Sequence, residues 1–135
     1  MKHVTAEEYH AEIESRMKET EHQIRLFQEA EALMPKYPEL SMLYHAANGE
    51  YREHATGGRL KAMGVKPGVP DICLPVARGG YHGLYIELKR TKKGARLSVE
   101  QKEWLDRLNA NGYRAVCAFG WRVAMDEMLR YLEGA

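Results

Sequence analysis

Apolar residues recur at helical spacing over the first quarter of the chain. Ile13, Met17, Ile24, Phe27 and Leu33 predict one long helix over residues 5–34. Thr5 stands where a cap belongs, Glu8 completes a capping box, and Pro35 follows the stop. Pro38 to Ala47 is apolar but short, so strand and helix are both open, and Asn48-Gly49 signals a turn. Residues 51–63 suit a short helix ended by Gly64. A loop with two prolines and a glycine then runs from Val65 to Pro70. Next the period shortens. Residues 71–76 and 83–89 read as strands, and the double glycine of ARGGYHG predicts a hairpin between them. Ser98 opens a helix with Val99, Trp104, Leu105 and Leu108 on its apolar side and Gly112 behind its end. YRAVCAFG reads as a buried strand, and residues 121–133 close the chain as an amphipathic helix. A strand–helix–strand crossover requires at least one parallel pairing. The expected fold is α/β, a mixed β-sheet flanked by helices.

Composition narrows this picture. The 135 residues are the length of one ordinary domain, and 44% apolar content is enough for a core. No apolar run approaches the ~20 residues of a membrane helix. The acidic, polar start is no signal peptide. Cys73 and Cys117 lie in apolar segments and read as two buried free thiols of a reducing compartment. The net charge of +1 hides an asymmetry: residues 1–34 carry −4 and residues 35–135 carry +5. The densest basic run, KRTKKGAR, has five cations between Lys89 and Arg96. Nucleic acid is compatible with that run, although overall charge alone does not demand it.

The candidate chemistry lies on the two strands of the hairpin. In GLYIELK, Tyr85, Glu87 and Lys89 share one face and Leu84, Ile86 and Leu88 the other. Glu87 and Lys89 are then roughly 6–7 Å apart along the strand. A turn at Gly79-Gly80 pairs residues whose numbers sum to about 159–160, which brings Asp71 opposite residues 87–89. Two adjacent carboxylates raise one another's pKa unless a positive charge joins them. A hard divalent cation such as Mg²⁺ or Mn²⁺ meets that need, polarises phosphate oxygens and activates water. The plainer alternative is a structural salt bridge at a sheet edge, against which stands the small net gain of burying ion pairs.

Pro70-Asp71 followed by Glu87-Leu88-Lys89 resembles the PD-(D/E)XK nuclease superfamily. The ordered context resembles one branch of it, the virus-type replication-repair nucleases (VRR-NUC): TEHQ at 20–23, ANGEYR at 47–52, RLKAMGVKPGVPD at 59–71, GLYIELKR at 83–90 and LSVEQKEWLDRLNANGYRA at 97–115. The resemblance covers about residues 20–132. It implies a restriction-endonuclease-like core and Mg²⁺- or Mn²⁺-dependent hydrolysis of phosphodiester bonds in DNA. Small standalone members resemble homodimeric phage enzymes acting on branched DNA such as four-way (Holliday) junctions, which implies the cytoplasm of a bacterium or a phage-infected host. An exonuclease or flap nickase with the same site, and a catalytically silent DNA-binding module, are the alternatives. Carried over residue by residue, Asp71, Glu87 and Glu21 would be metal ligands, with the Leu88 backbone carbonyl as a further one. Lys89 would be the catalytic lysine, and Gln101 would lie close to the site.

Local readings compete with several of these roles. A solvated acidic face also explains Glu21, and Ser98-Val99-Glu100-Gln101 is itself a capping box, which does not exclude a site role for Gln101. His22 reads as a helix-surface histidine, because Mg²⁺ and Mn²⁺ favour oxygen ligands. His82 belongs to the hairpin tip. Arg90, Lys92, Lys93 and Arg96 leave the catalytic strand and are expected on phosphates. Asn48, Tyr51 and Arg52 are family-like residues placed to position DNA, with Lys61 and Lys66 adding phosphate contacts. Tyr85 either packs or touches substrate.

Overall fold

The structure is a computed structural model and describes residues 3–46 and 57–134. Their elements are α1 (Ala6–Arg16), α2 (Glu19–Leu33), a 3₁₀ turn (Pro38–Met42), β1 (Tyr44–His45), α3 (Gly57–Ala62), β2 (Ile72–Leu74), β3 (Leu84–Lys89), α4 (Val99–Ala110), β4 (Arg114–Phe119) and α5 (Trp121–Leu132). The described strands form one mixed sheet in the order β1-β2-β3-β4. β1, β2 and β3 are antiparallel neighbours, and β4 returns parallel to β3 through α4. The α/β fold and the parallel crossover expected from the sequence are therefore present. No helix among the described residues is long and apolar enough to cross a membrane.

Sheet alternation sets the core. Leu84, Ile86 and Leu88 of β3 point to one face and are buried, as are Ile72 and Leu74 of β2. Leu26 and Ala30 of α2 cover that face, together with Ala124, Met125, Met128 and Leu132 of α5, whose three- and four-residue spacing makes a continuous stripe. The opposite face keeps Tyr85, Glu87 and Lys89, with Cys73, Ala115, Cys117 and Phe119 as their cross-strand partners. Cys73 is buried as expected. Cys117 is only half-buried because β4 is an edge of the sheet. Val99, expected on the apolar side of α4, is 71% exposed. It is the first residue of the helix, ahead of the turn that buries Leu105.

The hairpin is turned by Gly79 and Gly80, both at positive φ (57° and 85°), a pairing of angles that only glycine adopts freely. Arg78 bridges Tyr81 at the tip. Farther along, Leu74 pairs with Leu84 and Ile72 with Ile86. The first arm thus carries one more residue than the second. It is absorbed where Pro75 interrupts the ladder and the Val76 N–H folds back on the Leu74 carbonyl at 2.9 Å. That slip shifts the register by one from the tip and brings Asp71, one step past Ile72, opposite Glu87.

The long helix expected over residues 5–34 is two helices. Thr5 and Glu8 form the expected capping box on α1, but Met17 and Lys18 are extended, with ψ of 137° and 161°. The Glu14 carbonyl, which the Lys18 N–H would need to continue the helix, is taken instead. It accepts from the Met17 N–H (3.1 Å), the Thr91 hydroxyl (3.1 Å) and His22 Nε2 (3.2 Å). His22 is correspondingly not on the surface but 0% exposed. Its Nδ1 accepts from the Trp121 N–H at 3.2 Å, which fixes Nε2 as the donor to Glu14. One ring therefore ties the end of α1 to the start of α5. Replacing His22 by Ala leaves a buried N–H and part of a carbonyl unpaired. Urea unfolding of His22→Ala is expected to show a loss of about 1–3 kcal/mol for each group left unpaired.

Candidate metal centre and nucleic-acid interface

The foot of the hairpin holds the site. The Asp71 N–H donates to Glu87 Oε2 at 3.3 Å, and Asp71 Oδ2 accepts from the Leu88 N–H at 3.1 Å. Each acid is thus pinned by the other's strand. Glu87 is 1% exposed. Its Oε1 accepts from Gln101 Nε2 at 2.7 Å and lies 3.9 Å from Lys89 Nζ. The Asp71 carbonyl accepts from the Ala46 N–H at 2.7 Å and is 2.8 Å from His45 Nδ1, so β1 holds Asp71 from behind. Nothing in the sequence singled out His45. Its only mark is a histidine in an otherwise apolar run.

Gln101 does both things its sequence context suggested. Its Oε1 accepts from the Ser98 N–H at 2.8 Å while its backbone N–H donates to the Ser98 Oγ at 3.1 Å, leaving Nε2 for Glu87. Gly68 makes this possible. At φ 88° it packs on the first turn of α4, where an added Cβ would lie 2.5 Å from the Glu100 carbonyl carbon and 2.8 Å from the Gln101 nitrogen.

The third carboxylate is Glu19, not Glu21. Oxygens of Glu19, Asp71 and Glu87 lie within 4.8 Å of one another. Glu21 is exposed on α2 and stands outside this group. At 100° per residue, positions two apart on a helix point ~200° apart. Glu19 shares its stripe with His22, Leu26 and Ala30, the buried residues of α2. Ile24, which set the expected phase, is 54% exposed.

The electrostatics fit a cation. Burial and the adjacent Asp71 push the Glu87 carboxyl up to about 8, with Lys89 opposing the rise. Burial also raises Asp71, against the pull of the Leu88 N–H. Burial and the same carboxylates push the Cys117 thiol up to about 11. Burial and the neighbouring Cys73 push Tyr85 up to about 12, and Tyr85 packs edge-on to Tyr113. The three acids present an all-oxygen donor set that suits Mg²⁺ or Mn²⁺.

A cleft of about 430 Å³ opens beside Asp71, lined by Lys61, Lys66, Gly68, Asp71 and Gln101. The two lysines expected on phosphates therefore flank the site. Lys92, Lys93 and Arg96 are exposed on the loop that leaves β3 just past Lys89. Arg90 is half-buried, and its Nε has no hydrogen-bond partner. Leu88 contributes main chain only, its side chain being in the core. His82 is exposed at the tip, edge-on to Tyr113. Asn48, Tyr51 and Arg52 lie outside the described residues.

The family model of the VRR-NUC domain matches residues 7–120. Among solved structures, a protein described as a VRR_NUC domain protein superposes with a TM-score of 0.72 at 26% sequence identity, covering 88% of this chain and 91% of that one. No curated protein matches the chain.

Two outcomes follow from this geometry. The Glu87 carboxyl titrates near 4.5 when unfolded and near about 8 when folded, so the folded state holds the proton more firmly. Its contribution to stability is full below the lower value and is lost as pH rises through the higher. In EDTA, Tm is expected to fall across that window, and Glu87→Gln to flatten the fall. Mn²⁺ is expected to raise Tm most at the alkaline end, where protons no longer compete. Gly68→Ala should push α4 away and separate Gln101 from Glu87, lowering Tm and weakening the Mn²⁺ effect together in the same thermal scans.

Proposed function

The chain belongs to the VRR-NUC family of nuclease domains, and on that premise we propose that it is a divalent-metal-dependent DNA endonuclease selective for branched DNA such as four-way junctions. The observation that carries this reading is the convergence of Glu19, Asp71 and Glu87 oxygens within 4.8 Å, with Lys89 on the same strand face. Glu19, Asp71 and Glu87 are the residues that would hold Mg²⁺ or Mn²⁺, with the Leu88 carbonyl as a further donor. When bound, the ion supplies Lewis-acid polarisation of the scissile phosphate.

The chain's own groups do the rest. Lys89, 14% exposed at its side chain, presents its ammonium beside Glu87, where it orients the attacking water and balances charge growing on the phosphate. Gln101 keeps Glu87 from turning away. Lys61 and Lys66 on one side, and Lys92, Lys93 and Arg96 on the other, neutralise phosphates flanking the scissile one. Selectivity for branched DNA and a homodimer with two sites for paired incisions rest on the resemblance to small standalone members of the family.

The test is cleavage of a labelled four-way junction, a flap, linear duplex and single strand in Mg²⁺, Mn²⁺ or EDTA. Symmetric, metal-dependent nicks in the junction are expected. Lys89→Ala, Asp71→Ala and Glu19→Gln should each lose about 10²–10³-fold, the scale of removing one preorganised charged or polar group. Glu21→Gln should retain activity. Cutting of flaps or ends alone would replace the junction reading with a flap nickase or exonuclease. Equal cutting by all variants would remove the site assignment, and junction binding without cutting would leave a DNA-binding module.

A further inference from the structure

A second cleft, of about 480 Å³, lies at the other end of the sheet. Its lining includes Arg78 and Tyr81 of the hairpin tip, Arg114 at the start of β4, and Glu127, Arg130 and Tyr131 of α5. Arg114 and Lys89 belong to opposite ends of the β3–β4 ladder, since Arg114 pairs with Leu84 and Lys89 with Phe119. Five residue steps of strand separate those ends, ~17 Å at ~3.3 Å per step. The cleft is thus distinct from the acidic site.

Its chemistry is cationic and aromatic. Arg78 Nη2 pairs with Glu39 at 2.7 Å, and Arg114 Nη2 with Glu127 at 3.2 Å. Arg130 is exposed and, among the described residues, makes neither a hydrogen bond nor an ion pair. Three guanidiniums therefore meet two carboxylates, and one fork is wholly unused. A planar guanidinium fork takes two oxygens of one anion at once, those of a phosphate among them. The Tyr81 ring, 39% exposed, stands 6.3 Å from the Tyr131 ring. Tyr131 is fixed by donating its hydroxyl to the Val76 carbonyl at 2.6 Å. An exposed ring backed by a fixed one is a platform for a flat heterocycle. The volume falls within the ~300–1,000 Å³ of small-ligand sites.

We propose that this cleft binds one unpaired nucleotide of a DNA strand, its phosphate on Arg130 and Arg114 and its base on Tyr81. That the phosphate and ring belong to DNA rests on the nuclease reading. The cleft then holds a strand remote from the cut and adds a contact that the acidic site lacks.

The test is NMR of the ¹⁵N-labelled full chain in EDTA, titrated in turn with inorganic phosphate, thymidine 5′-monophosphate and a short oligo(dT). The expected result is shifts at Arg78, Tyr81, Arg114 and Arg130 with both nucleotide probes, tighter for the oligonucleotide. Tyr81→Ala and Arg130→Ala alter exposed side chains and should leave the fold intact. Tyr81→Ala should weaken oligonucleotide binding about thirtyfold, the middle of the range for one stacked base. Arg130→Ala should reduce the slope of log K against log salt by about 0.7, one single-strand phosphate contact. Inorganic phosphate matching the nucleotide would overturn base stacking, and monophosphate binding without oligonucleotide binding would overturn the strand. Shifts confined to Lys61, Lys66 and Gln101 would overturn the second site while leaving the nuclease reading standing. Loss of all cleavage in the assay above, with cleft shifts intact, would overturn the nuclease reading alone.

Discussion

Two carboxylates held face to face at the foot of a hairpin, one of them out of water, are the constraint around which this fold is arranged. Asp71 and Glu87 repel each other, and burial adds to the cost of ionising either. An apolar pair at the same place would stabilise the sheet more. The neighbours answer the problem only in part. The Leu88 N–H and Gln101 Nε2 each satisfy one oxygen, and Lys89 stands at 3.9 Å. Glu19 then adds a third acid beside them. An arrangement that increases negative charge where charge is already costly is poor as a structural ion pair and good as a cation cradle.

The position of Glu19 depends on a break in the N-terminal helix. Had α1 and α2 been continuous, the Glu14 carbonyl would bond Lys18 and could not receive both Thr91 and His22. The break frees that carbonyl to lock the loop after β3 against the end of α1, and His22 of α2 carries the lock on to Trp121. Arg122 adds an ion pair to the Glu14 carboxylate, and Arg25 and Arg122 both lie over the Trp121 ring. The start of α2 is thereby held in place by contacts from two distant parts of the chain, the loop after β3 and the start of α5.

This explains which features were legible in the sequence. Capping boxes at Thr5 and Ser98, the Gly79-Gly80 turn and the alternation of GLYIELK are local, and each appears where the pattern put it. The pairing of Asp71 with Glu87 was legible to within a residue, because the turn fixes the tip but Pro75 decides how the extra residue is absorbed. The helix break, the burial of His22 and the choice of Glu19 over Glu21 were not legible. All three depend on partners some 70 to 100 residues away in Thr91 and Trp121, and the exposed Ile24 imitates a core position. The family motifs pointed to Glu21 on this helix, whereas Glu19 is the residue whose oxygens stand with those of Asp71 and Glu87.

Gln101 shows how the fold reconciles rigidity with a costly site. As the third residue of α4 it is already committed to Ser98, so its side chain is fixed before it meets Glu87. The bond to Glu87 therefore orders no further free side chain, and an orientation set by a helix start is more exact than one set by a loop. The same first turn brings the positive end of the α4 dipole toward the acids, a favourable but small contribution beside their burial. Gly68 is what lets the loop bearing Asp71 approach that turn so closely. Asp71, Glu87 and the start of α4 are thus one rigid unit in which each part limits the movement of the others.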